Sequence, residues 1–78
     1  MSERDTAIVV VRVLPSRVLL FQGLLQGEDG LALMRSRDAD RSLHELWTVP
    51  AQLPALYAWL EGLPAGLDVR VMGEKRYP

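Results

Sequence analysis

The chain has 78 residues, and its nine basic and ten acidic residues leave a net charge of −1. This length supports one hydrophobic core, so we expect a single domain over 1–78 with an ordered core at about 7–72. The sequence has no cysteine and a single histidine, His44, which excludes disulfides and thiolate metal sites. We therefore predict no metal, no cofactor and no catalytic residue.

The charge balance also bears on the class of partner. Proteins that bind nucleic acid usually carry a basic excess, which this composition lacks, so no nucleic-acid partner is expected. The N-terminal residues are polar and of mixed charge, unlike a signal peptide. No stretch is long and apolar enough to cross a bilayer, so the sequence predicts a cytoplasmic protein with no membrane partner.

The first half of the sequence predicts a strand followed by a helix. Residues Ala7–Val13 are apolar at six of seven positions and rich in valine, which favours a strand. Pro15 suits the start of a helix that we predict over Ser16–Gln26, with Ser16 as a capping residue. Its apolar residues follow a period of 3.6 and form one stripe along the helix: Val18, Phe21, Leu24 and Leu25, with Leu20 broadening it. Gly23 lies inside this helix, which indicates close packing there.

The second half predicts two strands, a helix and a last strand. A charged hairpin loop at 37–41 joins the two strands, and "GLPAG" separates the helix from the last strand. The tail "GEKRYP" is predicted to be solvated. The predicted elements are strands at 31–36 and 43–49, a helix at Ala51–Leu63 and a strand at 67–72.

The order β-α-β-β-α-β predicts an α+β fold of the ferredoxin-like type. This fold is a sandwich of a four-stranded antiparallel sheet with two helices on one face. The first and third strands are expected at the centre of the sheet, and the second and fourth at its edges.

Several segments of the chain together carry a resemblance to a known family. These are Phe21 with its neighbouring leucines, the stretch "EDGLALMRSRDAD" and the strand "HELWTVP", over about residues 7–62. They resemble the bacterial domain-of-unknown-function family 4911. The resemblance implies a small ferredoxin-like domain similar to ACT domains, and it implies no activity.

The first strand is apolar on both faces, although only one face can meet the helices. Its second face would lie open, and we predict that this open face is covered by a partner. The third strand offers either Leu46 or Trp47 to that face, and the second offers Met34 or Leu33. The predicted interface residues are Ile8, Val10, Met34, Leu46 and Trp47.

These features predict a non-enzymatic protein-interaction module. A homodimer through the open sheet face or the sheet edges is the first expectation, because small soluble chains most often associate with themselves. The alternatives are an ACT-like domain that senses a small molecule and an accessory subunit of a larger complex. The remaining polar residues have ordinary interpretations: His44 is expected to be solvated, and Glu45 to pair with Arg12 across the sheet.

Overall fold

The computed structural model describes residues 6–37 and 42–77. Most of the predicted hairpin loop at 37–41 lies outside the described residues. The chain forms strands β1 (Thr6–Arg12), β2 (Leu33–Ser36), β3 (Leu43–Thr48) and β4 (Arg70–Tyr77), and helices α1 (Val18–Gln26) and α2 (Leu53–Glu61).

The four strands form one antiparallel sheet in the order β2-β3-β1-β4. With the two helices, this order is the ferredoxin-like α+β fold, so the predicted fold class is confirmed. The predicted central strands, β1 and β3, are also confirmed. The sheet therefore has one face that meets the helices and one that does not.

The hydrophobic core lies between the sheet and the helices. Alternate residues of β1 point towards the helices because side chains alternate across a strand. Phe21 and Leu25 of α1 and Leu53 and Leu56 of α2 meet them. The Phe21 ring packs against Trp59 with the centroids 5.6 Å apart and the two planes tilted by 52°. The core residues of β1 are Ala7, Val9 and Val11, and Val13 follows directly after the strand.

Each helix begins after a short 3₁₀ turn that starts with proline. These turns are Pro15–Arg17 before α1 and Pro50–Gln52 before α2. Proline suits this position because its fixed φ matches the helix and its missing N–H has no helical partner. The predicted cap was wrong: no side chain caps α1 or the turn before it, so Ser16 has no such role.

The last strand lies further along the chain than predicted. Leu67 is buried in a 3₁₀ turn, and Asp68 takes a left-handed conformation with φ 50° that turns the chain into the sheet. β4 then runs through the charged tail that we expected to be solvated. A bulge between its pairings with Val10 and Val11 adds one residue to the strand.

Candidate interaction surfaces

The register settles which side chains share the open face, meaning the sheet face away from the helices. Ile8 lies opposite Trp47, and Val10 lies opposite Glu45. Directly opposite residues point to the same side of a sheet. Trp47 therefore belongs to the open face with Ile8 and Val10.

Two predicted interface residues lie on the other face. Leu46 is opposite Val9 and is fully buried in the core, and Met34 is opposite Leu46 and packs against that core. Their assignment to the open face was wrong, because the pleat of β3 turns Trp47 outwards. The open position in β2 belongs to Leu33, which is 60% exposed.

Ile8 and Val10 are on the predicted face but are not exposed. Only 1% of Ile8 and 6% of Val10 is accessible within the single chain. Their cross-strand neighbours on this face include Trp47 and Lys75, whose long side chains cover apolar surface. The idea that these two residues need a partner for their burial is therefore wrong.

Trp47 lies on the open face near the end of β3, between Leu33 of β2 and Ile8 of β1, and its polar neighbours are Glu45 and Arg35. Its Nε1–H donates a hydrogen bond of 3.1 Å to Oε1 of Glu45. The guanidinium of Arg35 lies 4.9 Å from the centroid of the indole ring, in cation–π geometry. Glu45 thus bonds to Trp47 rather than pairing with Arg12 as predicted.

Positive charge collects on the open face. By register and alternation it holds five of the seven arginines and lysines that the structure describes: Arg12, Arg35, Arg37, Arg70 and Lys75. Arg70 pairs with Asp68 at 3.3 Å, whereas Arg12, Arg37 and Lys75 pair with no carboxylate in the described ranges. Glu45 is the one carboxylate that the strands place on this face in the described part of the sheet.

A groove of about 280 Å³ runs along the open face between β1 and β4. Its lining contains three cationic residues, one acidic residue and four without charge: Arg12, Arg37, Lys75, Glu74, Val10, Leu43, Met72 and Gly73. Met72, at the bulge, is 53% exposed and is one of the apolar residues that line the groove. The groove thus combines apolar side chains with three cations and one acidic residue.

A second cleft, of about 380 Å³, lies at the end of the sheet where β2 begins and β3 ends. Its lining is mostly apolar, and two of its polar side chains are already bonded. The Thr48 hydroxyl donates to the Leu31 carbonyl oxygen at 2.8 Å, and the Trp47 N–H is held by Glu45. Gln52 is left as the polar side chain that could orient a ligand there.

The outer face of α1 is apolar, which the sequence analysis missed. Leu19 is 83% exposed, Leu20 55% and Leu24 38%, and α1 contains no charged residue. At Gly23, no other part of the chain lies within 4 Å of the point that a Cβ would occupy. Gly23 is thus not closely packed within the chain, and the four residues form one smooth patch, the α1 patch.

A polar contact ties the helix layer to β4. The Tyr57 hydroxyl donates a hydrogen bond of 2.6 Å to Glu74, whose other carboxylate oxygen accepts from Arg76 at 2.9 Å. Burial and then this hydrogen bond raise the pKa of Tyr57 to about 12. The bonds from Tyr57 and then Arg76 lower the pKa of Glu74.

The described residues contain no cluster of three or more side chains that could hold a metal ion. His44 was predicted to be solvated, but it is buried on the helix side of β3, opposite Val11. The alternation of side chains along β3 places it there.

Comparison with known proteins identified no matching family model, no matching curated protein and no matching solved structure. The resemblance to family 4911 therefore stays a prediction. In the part of the chain that the structure describes, neither helix has the length and apolar character needed to cross a membrane.

Proposed function

We propose that the protein is a small, non-enzymatic interaction module that self-associates through the α1 patch: Leu19, Leu20, Gly23 and Leu24. The observation that carries this proposal is an uncharged helix with three leucines exposed on its outer side. A surface helix of a soluble protein normally has a polar outer face. An apolar outer face is typical of a helix that has a partner.

A second copy of the chain fits this patch for two reasons. The patch carries no charge, so two copies can meet around a two-fold axis without repulsion. Gly23 lies among the leucines with open space above it, so two helices can cross there with their backbones close together.

The energetics favour a reversible dimer. The exposed fractions of Leu19, Leu20 and Leu24 amount to a little under two whole leucines. Burying that surface contributes about 3–5 kcal/mol per subunit, and association costs about 4–15 kcal/mol. The two subunits together contribute about 6–10 kcal/mol, so the surplus over the lowest association cost is at most about 6 kcal/mol and we expect a dissociation constant of roughly 40 µM or weaker.

The open face is less suited to self-association than we first expected. Two copies meeting face to face would bring their cation sets together, and like charges across an interface are unfavourable. The sheet edges are also poor contacts. β2 has only four residues, and β4 carries Glu74, Lys75 and Arg76 beside a bulge, features that prevent edge pairing.

Sedimentation equilibrium tests the proposal over a range of concentrations up to about 1 mM, well above a dissociation constant of roughly 40 µM. The wild type is expected to approach twice the monomer mass of 8.7 kDa, and Leu19→Glu to stay monomeric. Leu19 is exposed in the second position of α1, where an acidic residue is favourable, so the fold is expected to survive. Circular dichroism checks that it does.

Leu33→Glu is the matched control, because it places the same charge on an exposed leucine of the open face. It is expected to dimerise like the wild type. A monomeric wild type at the highest concentration would show that the chain does not self-associate. If Leu33→Glu dissociated the dimer and Leu19→Glu did not, the dimer interface would be the open face and not the α1 patch.

A further inference from the structure

We propose that the open face binds single-stranded nucleic acid, with cations contacting the phosphates and the Arg35–Trp47 pair stacking on a base. This surface is separate from the α1 patch, and the proposal does not depend on self-association. It reverses the expectation drawn from net charge, because a net charge of −1 describes the whole chain and not one face.

The first support is the sign and placement of the charges. The cations come from β1, β2 with the residue after it, and β4, so they cross the whole sheet. Four neighbouring strands span about 14 Å at their usual spacing, enough for a few nucleotides. Arg12, Arg37 and Lys75 form no ion pair in the described ranges, so their charges are available to a ligand.

The second support is an aromatic residue on the same face, Trp47, which lies beside Arg35. Bases stack on tryptophan and on the guanidinium plane of arginine, and this contact tolerates any sequence. Arg35 lies over the indole at 4.9 Å, and the bond from Trp47 to Glu45 fixes the ring. The pair thus offers a preformed platform, flanked by the exposed apolar side chain of Leu33.

The alternative partner is an acidic protein surface. Protein interfaces are depleted of lysine and of charge at their centre. This face instead carries five cations against the one carboxylate of Glu45, together with the aromatic ring of Trp47. That combination of backbone neutralisation and stacking is typical of surfaces that bind single strands.

Fluorescence anisotropy tests the proposal with labelled RNA and DNA single strands of about 12 nucleotides, within the range of known site sizes. With four phosphate contacts, affinity should fall about 50-fold between 50 and 200 mM salt. In the double variant with Arg12→Ala and Lys75→Ala, the plot of log affinity against log salt concentration should become less steep, by about 1.4.

The matched control is a second double variant that removes two positive charges from residues outside the open face. Arg76 lies opposite Ala7 on the helix side, and Arg17 precedes α1 and donates to the Gly66 carbonyl oxygen. Arg17→Ala with Arg76→Ala should leave the affinity within about twofold of wild type and the slope unchanged. An equal loss in both double variants would overturn the proposal, because the binding would then follow net charge and not the open face.

Tryptophan fluorescence measures separately whether a base stacks on Trp47. The chain has two tryptophans, so Trp59→Phe leaves Trp47 as the fluorophore. Its emission should be quenched on saturation with the oligonucleotide. Trp47→Leu should weaken binding at least about fivefold, with circular dichroism confirming the fold. Binding without quenching would overturn the stacking contact.

Two further results would overturn the proposal as a whole. One is the absence of binding at 50 mM salt. The other is equal or tighter binding of poly-L-glutamate, which would identify the face as a site for acidic protein. The monomeric Leu19→Glu variant separates this test from the previous one, because it keeps the open face intact and should still bind.

Discussion

The contact between Tyr57 and Glu74 stabilises the fold, and this stabilisation is lost at alkaline pH. The hydroxyl donates to the carboxylate at 2.6 Å, which joins α2 to β4. Because the pKa of Tyr57 is raised to about 12, folding favours the neutral hydroxyl. The resulting stability is fully present below the unfolded pKa of about 10 and is lost as the pH rises through about 12.

The size of this effect follows from the pKa shift. The rise in the pKa of Tyr57 from 10.0 to about 12 corresponds to at most about 2.7 kcal/mol of stability, at 1.36 kcal/mol for each pKa unit. The contact lies near the surface, where solvent screens it, so we expect about 1 kcal/mol. Tyr57→Phe should therefore lower the free energy of unfolding by about 1 kcal/mol at pH 8 and by much less near pH 12.

Urea unfolding of both proteins at several pH values measures this difference directly, since effects of other groups cancel. Absorbance titration of Tyr77→Phe, which leaves Tyr57 as the one tyrosine, checks the pKa itself. A midpoint near 10, or a difference between the two proteins that grows with pH, would refute the reasoning.

Three further substitutions test the packing. Phe21→Ala should cost about 3–5 kcal/mol in urea unfolding because the ring is fully buried against Trp59. Val10→Lys should lower the melting temperature, because Val10 is buried within one chain rather than at a partner surface. Gly23→Ala should stabilise the monomer by up to about 1 kcal/mol, since its methyl group meets open space. In sedimentation it should weaken the dimer by separating the two helices.

The sequence was sufficient to predict the fold because the apolar periodicity and the proline and glycine residues at element ends indicate the same boundaries over most of the chain. Valine-rich β1, the proline-led helix starts and the short connections all indicate the same element order. β4 was misplaced because the residues that pair with β1 include a glycine and several charged side chains, which have low strand propensity. Their strand conformation comes from ladder bonds to a buried neighbour, which no local pattern reveals.

The candidate surfaces were harder to predict because they depend on which alternate residues of each element face the core. A shift of one residue in β3 exchanges Leu46 for Trp47, and the apolar pattern of this strand fits both choices. The α1 patch was hidden for a related reason. Leu20 and Leu24 read as part of the stripe that faces the core, whereas the structure buries Phe21 and Leu25 and turns the other two outwards. The absence of charge in α1 was the signal that could have shown it.

The two proposed surfaces are compatible because they lie on opposite sides of the sandwich. Helix α1 covers one face of the sheet, and the cations lie on the other. A dimer through the α1 patch would therefore leave both open faces exposed, pointing away from each other. Two such faces on one particle bind a long strand with higher effective concentration than a single face. Weak binding at each face would then suffice, which matches the small contact area that a 78-residue chain can offer.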